Sequence, residues 1–71
     1  MFSIKLVHKK LKKEKWLEYY FKDNKTILLT SNYDRKQVYL SVISLNDEIS
    51  FLLEDENIIN KYDIKIVKVD F

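Results

Sequence analysis

Apolar and polar residues alternate along the first half of the chain in the pattern of a sheet. The segment FSIKLV predicts a strand over 2–7, because every second side chain of a strand lies on the same face. The aromatic-rich segment WLEYYFK predicts a strand over 16–22, and TILLTS predicts one over 26–31. The first half of the chain is therefore expected to contribute three strands.

The turn between the second and third strands decides which residues share a face. Asp23, Asn24 and Lys25 suit a turn, because Asp and Asn tolerate the left-handed backbone region. A three-residue loop sets Ile27 and Leu29 against the apolar side of the second strand, whereas a two-residue loop would set a threonine and a leucine there. The first is favoured, because a buried face fixes the register. The apolar side of the second strand is expected to hold three residues: Leu17, Tyr19 and Phe21.

The middle of the chain fits two structures. VYLSVISL (38–45) and EISFLL (48–53) flank Asn46 and Asp47, which predicts a β-hairpin with a two-residue loop. In that hairpin one face is apolar except for one serine, whereas the other carries two serines and a glutamate beside three apolar residues. The alternative is a helix over 46–56 that buries its isoleucine and two leucines.

The last segment predicts a short helix followed by a strand. DENIINKY suits a helix over 55–62, with Asp55 as its N-cap and Lys61 near its C-terminal end. DIKIVKVDF predicts a closing strand over 63–71. A shift midway in its alternation indicates a bulge.

This order of elements predicts a mainly β protein with a single domain over 1–71. Five to six strands and one short helix near 55–62 would form a small SH3-like barrel or a curled antiparallel sheet, in which the first and last strands pair. The match to that barrel is one of topology alone and implies no function. The alternative is an α+β fold with a helix over 9–22, where Lys, Leu and Glu favour helix.

The side-chain inventory excludes most catalytic chemistry. The chain has no cysteine and a single histidine, so the usual zinc sites cannot be assembled within it. His8 itself is expected to be an exposed residue at the end of a strand. Without glycine there is no phosphate-cradling glycine loop, and the acidic run 54–56 is interpreted as a charged helix start. We therefore expect no metal, no cofactor and no enzymatic activity.

Composition also indicates the setting of the protein. Apolar residues make up 46% of the chain, which is enough for a folded core, and no apolar run reaches the length of a membrane span. Without cysteine there are no disulfides, and we expect a cytoplasmic protein. Gly, Pro and Ala are absent and Arg35 is the only arginine, a composition that an AT-rich gene would produce, as in some bacteria, phages and plasmids.

Charge is divided unevenly along the chain. Residues 1–36 hold ten basic and four acidic side chains, a net +6, whereas residues 37–71 hold three basic and seven acidic ones, a net −4. The basic excess is concentrated in HKKLKKEKW (8–16). Such a run attracts phosphates or an acidic protein surface, and it is also typical of a solvated loop or strand edge.

The candidate binding residues combine this run with aromatic side chains. In a regular strand Trp16 and Tyr20 lie opposite the Leu17 face and are exposed if nothing covers them. Two basic residues from the 32–36 loop are expected at the rim. The predicted contact surface consists of Lys9, Lys10, Lys12, Lys13, Lys15, Trp16, Tyr20, Arg35 and Lys36.

These residues predict a binding protein. The leading hypothesis is a small non-enzymatic inhibitor or regulator that acts by stoichiometric contact with a protein partner presenting an acidic surface. The alternative is a nucleic-acid-binding module in which the patch Lys9–Trp16 contacts phosphates and stacks on bases. A third hypothesis is a homo-oligomer formed through an exposed strand edge.

Overall fold

The computed structural model describes residues 1–70 as four strands and two helices, which confirms the mainly β class. The elements in chain order are β1 (Phe2–His8), β2 (Glu14–Phe21), β3 (Thr26–Thr30), a 3-10 turn (Tyr33–Arg35), α1 (Val42–Glu54), α2 (Glu56–Lys61) and β4 (Tyr62–Lys68). The three strands expected in the first half are all present.

The sheet is open and does not form a barrel. Its order is β3-β2-β1-β4, and all neighbouring strands are antiparallel. The first and last strands pair as predicted; Phe2 lies opposite Lys68 at one end and His8 lies opposite Tyr62 at the other. The predicted five to six strands are wrong, because the segment expected to form a hairpin at 38–53 is largely helical. Four strands are too few to close a barrel whose interior is filled by side chains.

A capping box starts α1 where the hairpin was predicted. Ser41 Oγ accepts a hydrogen bond from Ser44 N–H, and Ser44 Oγ accepts one from Ser41 N–H, both at 3.3 Å. The helix then continues to Glu54. The alternative prediction of a helix over 46–56 had the right type of structure but missed the first turn.

The burial pattern of α1 explains why the hairpin prediction was wrong. Leu45, Ile49 and Leu52 follow the helical period and pack into the core. The hairpin would have buried Leu40 and Leu53, which are 79% and 56% exposed. The same apolar residues fit a period of two on paper, but in the structure α1 buries Leu45 and Leu52 and leaves Leu53 exposed.

The short helix predicted near 55–62 is confirmed as α2. Asp55 Oδ1 accepts a hydrogen bond from Ile58 N–H at 3.1 Å, and Lys61 lies in the last turn. The Asp55 N–H also donates to the carbonyl of Leu52 at the end of α1. One aspartate therefore ends the first helix and begins the second.

The β-bulge lies in β2 and not in β4. β4 pairs with β1 without a shift from Tyr62 to Lys68, so the bulge predicted there is wrong. Phe71, the end of that predicted strand, lies outside the described residues. In β2 the pairing with β3 shifts between Leu17 and Tyr19, which makes Glu18 the extra residue.

The bulge changes which side chains of β2 face the helices. Leu17 faces them before the bulge, and Tyr20 faces them after it; both are buried. Tyr19 and Phe21, predicted to share the core face with Leu17, are 50% and 43% exposed on the opposite face. A single inserted residue has this effect because side chains alternate between the faces of a strand.

The register predicted for β3 is wrong next to the turn, because the loop comprises the four residues 22–25, and Thr26 and Leu28 pair with Phe21 and Tyr19. Ile27 and Leu29 nevertheless lie on the Leu17 face and pack against the core, because the bulge shifts the pairing by one residue. Lys25 has a φ of 55°, in the left-handed region that favours glycine. A lysine takes this position in a chain without glycine.

The core lies between the helices and one face of the sheet, here called the helix side. Ile4, Leu6 and Leu17 from the strands meet Leu45 and Leu52 from α1, and all five are fully buried. Each such side chain contributes about 1.5–3 kcal/mol of hydrophobic stabilisation. The helix side is therefore the main source of stability.

Residues 31–38, here called the strap, cross the other face of the sheet. The Gln37 N–H donates to the Leu17 carbonyl at 2.8 Å, next to the bulge. The hydroxyl of the fully buried Ser3 donates to the Gln37 carbonyl at 2.8 Å. Because a bulge disrupts the strand ladder, it leaves room for the strap to bond to β2. We call this face the strap side.

Candidate functional site

The predicted lysine run forms the loop that joins β1 to β2. The His8 N–H donates to the Lys13 carbonyl at 2.8 Å, and the Lys12 N–H donates to the His8 carbonyl at 2.9 Å. Lys12 has a φ of 60°. This turn and β2 occupy the range 9–22, so the alternative prediction of a helix there is wrong. The loop, here called the basic loop, consists of Lys9, Lys10, Leu11, Lys12 and Lys13.

His8 organises the basic loop. Its Nδ1 accepts hydrogen bonds from the N–H groups of Lys10, at 3.2 Å, and Leu11, at 3.0 Å. Nδ1 therefore carries no proton in this conformation, because a protonated nitrogen cannot accept. The ring also packs edge-to-face on Tyr62, with 5.3 Å between centroids. From the sequence, His8 was expected only as an exposed residue at the end of a strand; a side-chain acceptor directly before a loop is the signal that could have revealed its role.

The four lysines of the basic loop point into solvent. All are exposed, and within residues 1–70 none of them forms a salt bridge. The Lys9 N–H donates to the Lys61 carbonyl at 2.8 Å, which anchors the loop against the end of α2. Glu14, which interrupts the run in sequence, is bonded to Lys5 Nζ at 3.1 Å. The loop is a concentrated positive surface.

An apolar side chain and a cavity adjoin these charges. Leu11 is 64% exposed in the middle of the loop. At the base of the loop lies an open cavity of about 410 Å³. Its lining combines two ammonium groups with an imidazole, a phenol and a hydroxyl, and comprises His8, Leu11, Lys13, Lys15, Ser31 and Tyr62. The lining suits an anionic side chain of a partner.

Trp16 belongs to the strap side and not to the basic loop. It is half-buried and packs edge-to-face on Tyr33, with 5.3 Å between ring centroids. Lys5 Nζ lies 5.7 Å and Lys36 Nζ 5.9 Å from the centre of its ring. The tryptophan thus anchors the strap through ring and cation–π contacts.

Arg35 and Lys36 are also held in the strap. Lys36 is only 7% exposed; its Nζ donates to the Tyr33 carbonyl at 3.0 Å and lies 3.3 Å from the centre of the Tyr33 ring. The Arg35 Nε lies 2.8 Å from Glu18 Oε1. The expectation that both form the rim of an open surface is wrong for Lys36, because it is buried.

Tyr20 is buried on the helix side. It is 8% exposed and stacks on Phe51, with centroids 4.8 Å apart and an interplanar angle of 10°. Trp16 lies on the opposite face, so the expected shared aromatic platform does not exist. The reason is the bulge at Glu18, which lies between the two and reverses the alternation. The structure gathers the loop lysines and separates them from both aromatic residues.

The strap side also carries exposed apolar residues that the sequence analysis placed in the core or left out. Tyr19 and Phe21 are in ring contact, with centroids 4.7 Å apart. Leu28 pairs with Tyr19 across the strands and is 40% exposed. These three residues, here called the apolar strip, lie at the β3 edge of the sheet. No pattern in the sequence located them, because the bulge decides their face.

Tyr39 marks the passage of the chain from the strap side to the helix side. It exchanges two backbone hydrogen bonds with Phe2, both at 2.8 Å, and is 8% exposed. Burial raises the pKa of its phenol above the ordinary value of 10.0, and the Glu48 carboxylate raises it further. Both residues line an open cavity of about 450 Å³ beside the 22–25 loop.

Clustered metal ligands and membrane-spanning helices are both absent from the part of the chain that the structure describes. Within residues 1–70, no group of three or more histidine or carboxylate side chains is placed to hold a metal ion. In the same range, neither helix has the length and apolar character needed to cross a membrane.

No protein family matches the chain, and no curated protein and no solved structure shows significant similarity to it. Function is therefore inferred from the chemistry of the exposed surfaces.

Proposed function

We propose that this chain is a non-enzymatic binding protein that contacts an acidic surface of a protein partner through the basic loop. One observation carries the proposal: four exposed lysines without salt bridges inside residues 1–70 share a single five-residue loop. Charges held this close together steer an acidic partner and speed its association.

The backbone of the basic loop supports binding because it is already ordered. The two hydrogen bonds to His8 Nδ1 and the bond from Lys9 to Lys61 hold both halves of the loop. A preorganised loop loses less conformational freedom on binding than a flexible one. Binding through the lysines therefore carries little cost in free energy for ordering the main chain.

Leu11 favours a protein partner over a nucleic acid. An exposed leucine among lysines can fill an apolar depression on a protein, whereas a phosphate backbone offers it no contact. The nucleic-acid alternative combined phosphate contacts with stacking of bases on aromatic residues of the patch. Trp16 is engaged by the strap and Tyr20 is buried, so that alternative now depends on charge alone.

The proposal retains the class of function expected from the sequence. A small protein that covers an acidic site by stoichiometric contact acts as an inhibitor or regulator. The partner is a cytoplasmic protein, and the inhibitor is of the kind that phages and mobile elements encode. Arg35 is exposed on the strap and is kept as a peripheral contact, whereas Lys36 and Tyr20 are buried and are removed from the proposed surface.

A matched pair of charge variants tests the proposal. One variant carries Lys→Gln at positions 9, 10, 12 and 13; the other carries Lys→Gln at 22, 25, 65 and 68, which are equally exposed lysines elsewhere. The probe is a peptide rich in Glu and Leu, compared with single- and double-stranded oligonucleotides of equal charge. We expect the peptide to bind the wild type and the control, more weakly at high salt, and the loop variant to lose this binding.

The substitution Leu11→Ser separates the two classes of partner. It should weaken binding of the peptide and leave binding of the oligonucleotides unchanged. Equal losses in the two four-lysine variants would show attraction to overall charge and contradict a site at the loop. Tighter binding of the oligonucleotides than of the peptide, with a steep salt dependence, would favour the nucleic-acid alternative.

A further inference from the structure

The two edge strands of the sheet differ in how they are protected from pairing with another strand. β4 carries Asp63, Lys65 and Lys68, and charged side chains on an edge disfavour pairing. β3, with the sequence TILLT, contains no charged residue. Within residues 1–70, no backbone–backbone hydrogen bond joins β3 to an element other than β2. β3 is the unprotected edge.

The sequence of β3 is self-complementary in the antiparallel sense. When two copies pair about a twofold axis perpendicular to the sheet, Leu28 lies opposite Leu28 of the second copy. Ile27 then lies opposite Leu29, and Thr26 lies opposite Thr30. All five residues pair in this register, and every cross-strand pair matches in polarity.

The surroundings of β3 agree with this arrangement. Ile27 and Leu29 on the helix side are only half-buried, and Leu28 on the strap side is 40% exposed. Pairing would bring each of them against an apolar residue of the second copy. The apolar strips of the two copies would also adjoin through Leu28, making one continuous strip.

From these observations we propose that β3 is a homodimerisation edge, at which two copies of the chain join antiparallel to form a continuous eight-stranded sheet. The helices of both copies then lie on the same side. The basic loop contributes no residue to β3, so this interface and the proposed partner-binding surface consist of different residues. An unrelated extended peptide is the competing occupant, and the choice of a second copy rests on the self-complementarity of TILLT.

Charge placed at the twofold position gives a sharp test by sedimentation equilibrium. The wild type should show a mass that rises from monomer to dimer with concentration. Leu28→Lys and Leu28→Glu each place like charges directly opposite each other, and each should weaken dimerisation at least about tenfold. An equimolar mixture of the two variants should restore the dimer, because Lys then faces Glu.

The matched control is Ile66→Lys on the other edge strand, where Ile66 is 45% exposed. This variant should dimerise like the wild type. Circular dichroism of each variant checks folding, and restored dimer in the mixture shows directly that both chains are folded. Amide hydrogen exchange adds a second measurement, with protection in 26–30 that increases with wild-type concentration.

Three results would overturn the proposal. They are a wild type that stays monomeric up to its solubility limit, dimerisation of both Leu28 variants at wild-type strength, and loss of the dimer in Ile66→Lys but not in Leu28→Lys. A wild type that stays monomeric but binds an unrelated extended peptide at 26–30 would assign the edge to a foreign strand instead.

Discussion

The two sides of the sheet are covered in physically different ways. On the helix side, leucine and isoleucine side chains of β1 and β2 meet those of α1 in a buried core. On the strap side, a single segment is held by hydrogen bonds from Ser3 and Gln37. The edge-to-face contact of Trp16 with Tyr33 and the Lys36 ammonium over the Tyr33 ring hold it further. The first cover depends on apolar area and the second on a small number of directional contacts.

This difference determines where open surface remains. α1 and α2 cover the helix side broadly, whereas the strap crosses only part of the other side and leaves the apolar strip exposed. Aromatic residues in β2 are therefore structural or exposed according to their position relative to the strap and the bulge. Residue type alone does not distinguish the two roles.

The largest effect is expected from the helix side. Leu52→Ala should lower the free energy of unfolding by about 2–5 kcal/mol, because it leaves a cavity between α1 and the sheet. Leu53→Ala is the matched control; Leu53 is 56% exposed, and its replacement should change stability by less than about 0.5 kcal/mol. Urea denaturation measures both. A larger loss for Leu53→Ala than for Leu52→Ala would indicate that the segment pairs as a hairpin, in which Leu53 is the buried residue.

An intermediate effect is expected from the strap side. Ser3→Ala removes the donor to the Gln37 carbonyl, and an unsatisfied buried acceptor costs about 1–3 kcal/mol. The exposed Ser31→Ala should leave the urea midpoint unchanged. A Ser3→Ala midpoint equal to that of the wild type would mean that water reaches the carbonyl and that the strap does not depend on this bond.

A smaller effect is expected at the start of α1, on which the helix side depends. Ser41→Ala removes the capping box and should cost about 0.5–2 kcal/mol. Ser50→Ala is the control within the same helix, where alanine is the better helix former. If thermal unfolding shows the two variants to be equally stable, the cap is not what selects helix over hairpin.

The smallest effect at neutral pH is expected at Tyr39, where the chain passes between the two sides. Its raised pKa means that the folded chain keeps a proton that the unfolded chain loses near pH 10.0. This contribution to stability is therefore complete below that pH and is lost as the pH rises above it. Tyr39→Phe should lose less stability than the wild type between about pH 9 and about pH 11, measured by urea denaturation.

A control for this pH experiment is Tyr19→Phe, which removes a half-exposed phenol on the strap side. Its loss of stability with pH should follow that of the wild type. If the free energy of unfolding falls with pH equally in the wild type and in Tyr39→Phe, ionisation of the Tyr39 phenol does not destabilise the folded chain.

Local patterns predicted the elements whose signals are confined to a few neighbouring residues. Alternation located β1, β3 and β4, and an aspartate before an apolar pattern located α2. The hairpin prediction was wrong because alternation and helical period fitted the same residues of α1. The cap that decides between them is formed by two serines and lacks the Glu or Gln of the common capping box.

The candidate site was predicted in part for the same reason. The gathering of Lys9, Lys10, Lys12 and Lys13 follows from their adjacency in one loop. The prediction that Trp16 and Tyr20 share an exposed face was wrong because the bulge lies between them. No pattern in the sequence marks Glu18 as a bulge residue. The bulge is contacted by the strap, through Arg35 to Glu18 and Gln37 to Leu17, and the strap follows only after β3.

The sequence by itself determined the strands at both ends of the chain, the second helix and the cluster of charge, because alternation, capping and adjacency act over a few residues. The tertiary structure decided which side of the sheet each aromatic residue joins, how Lys36 became buried, and which edge stayed unprotected. These outcomes depend on contacts such as that between Gln37 and Leu17, which exist only once distant segments have packed together.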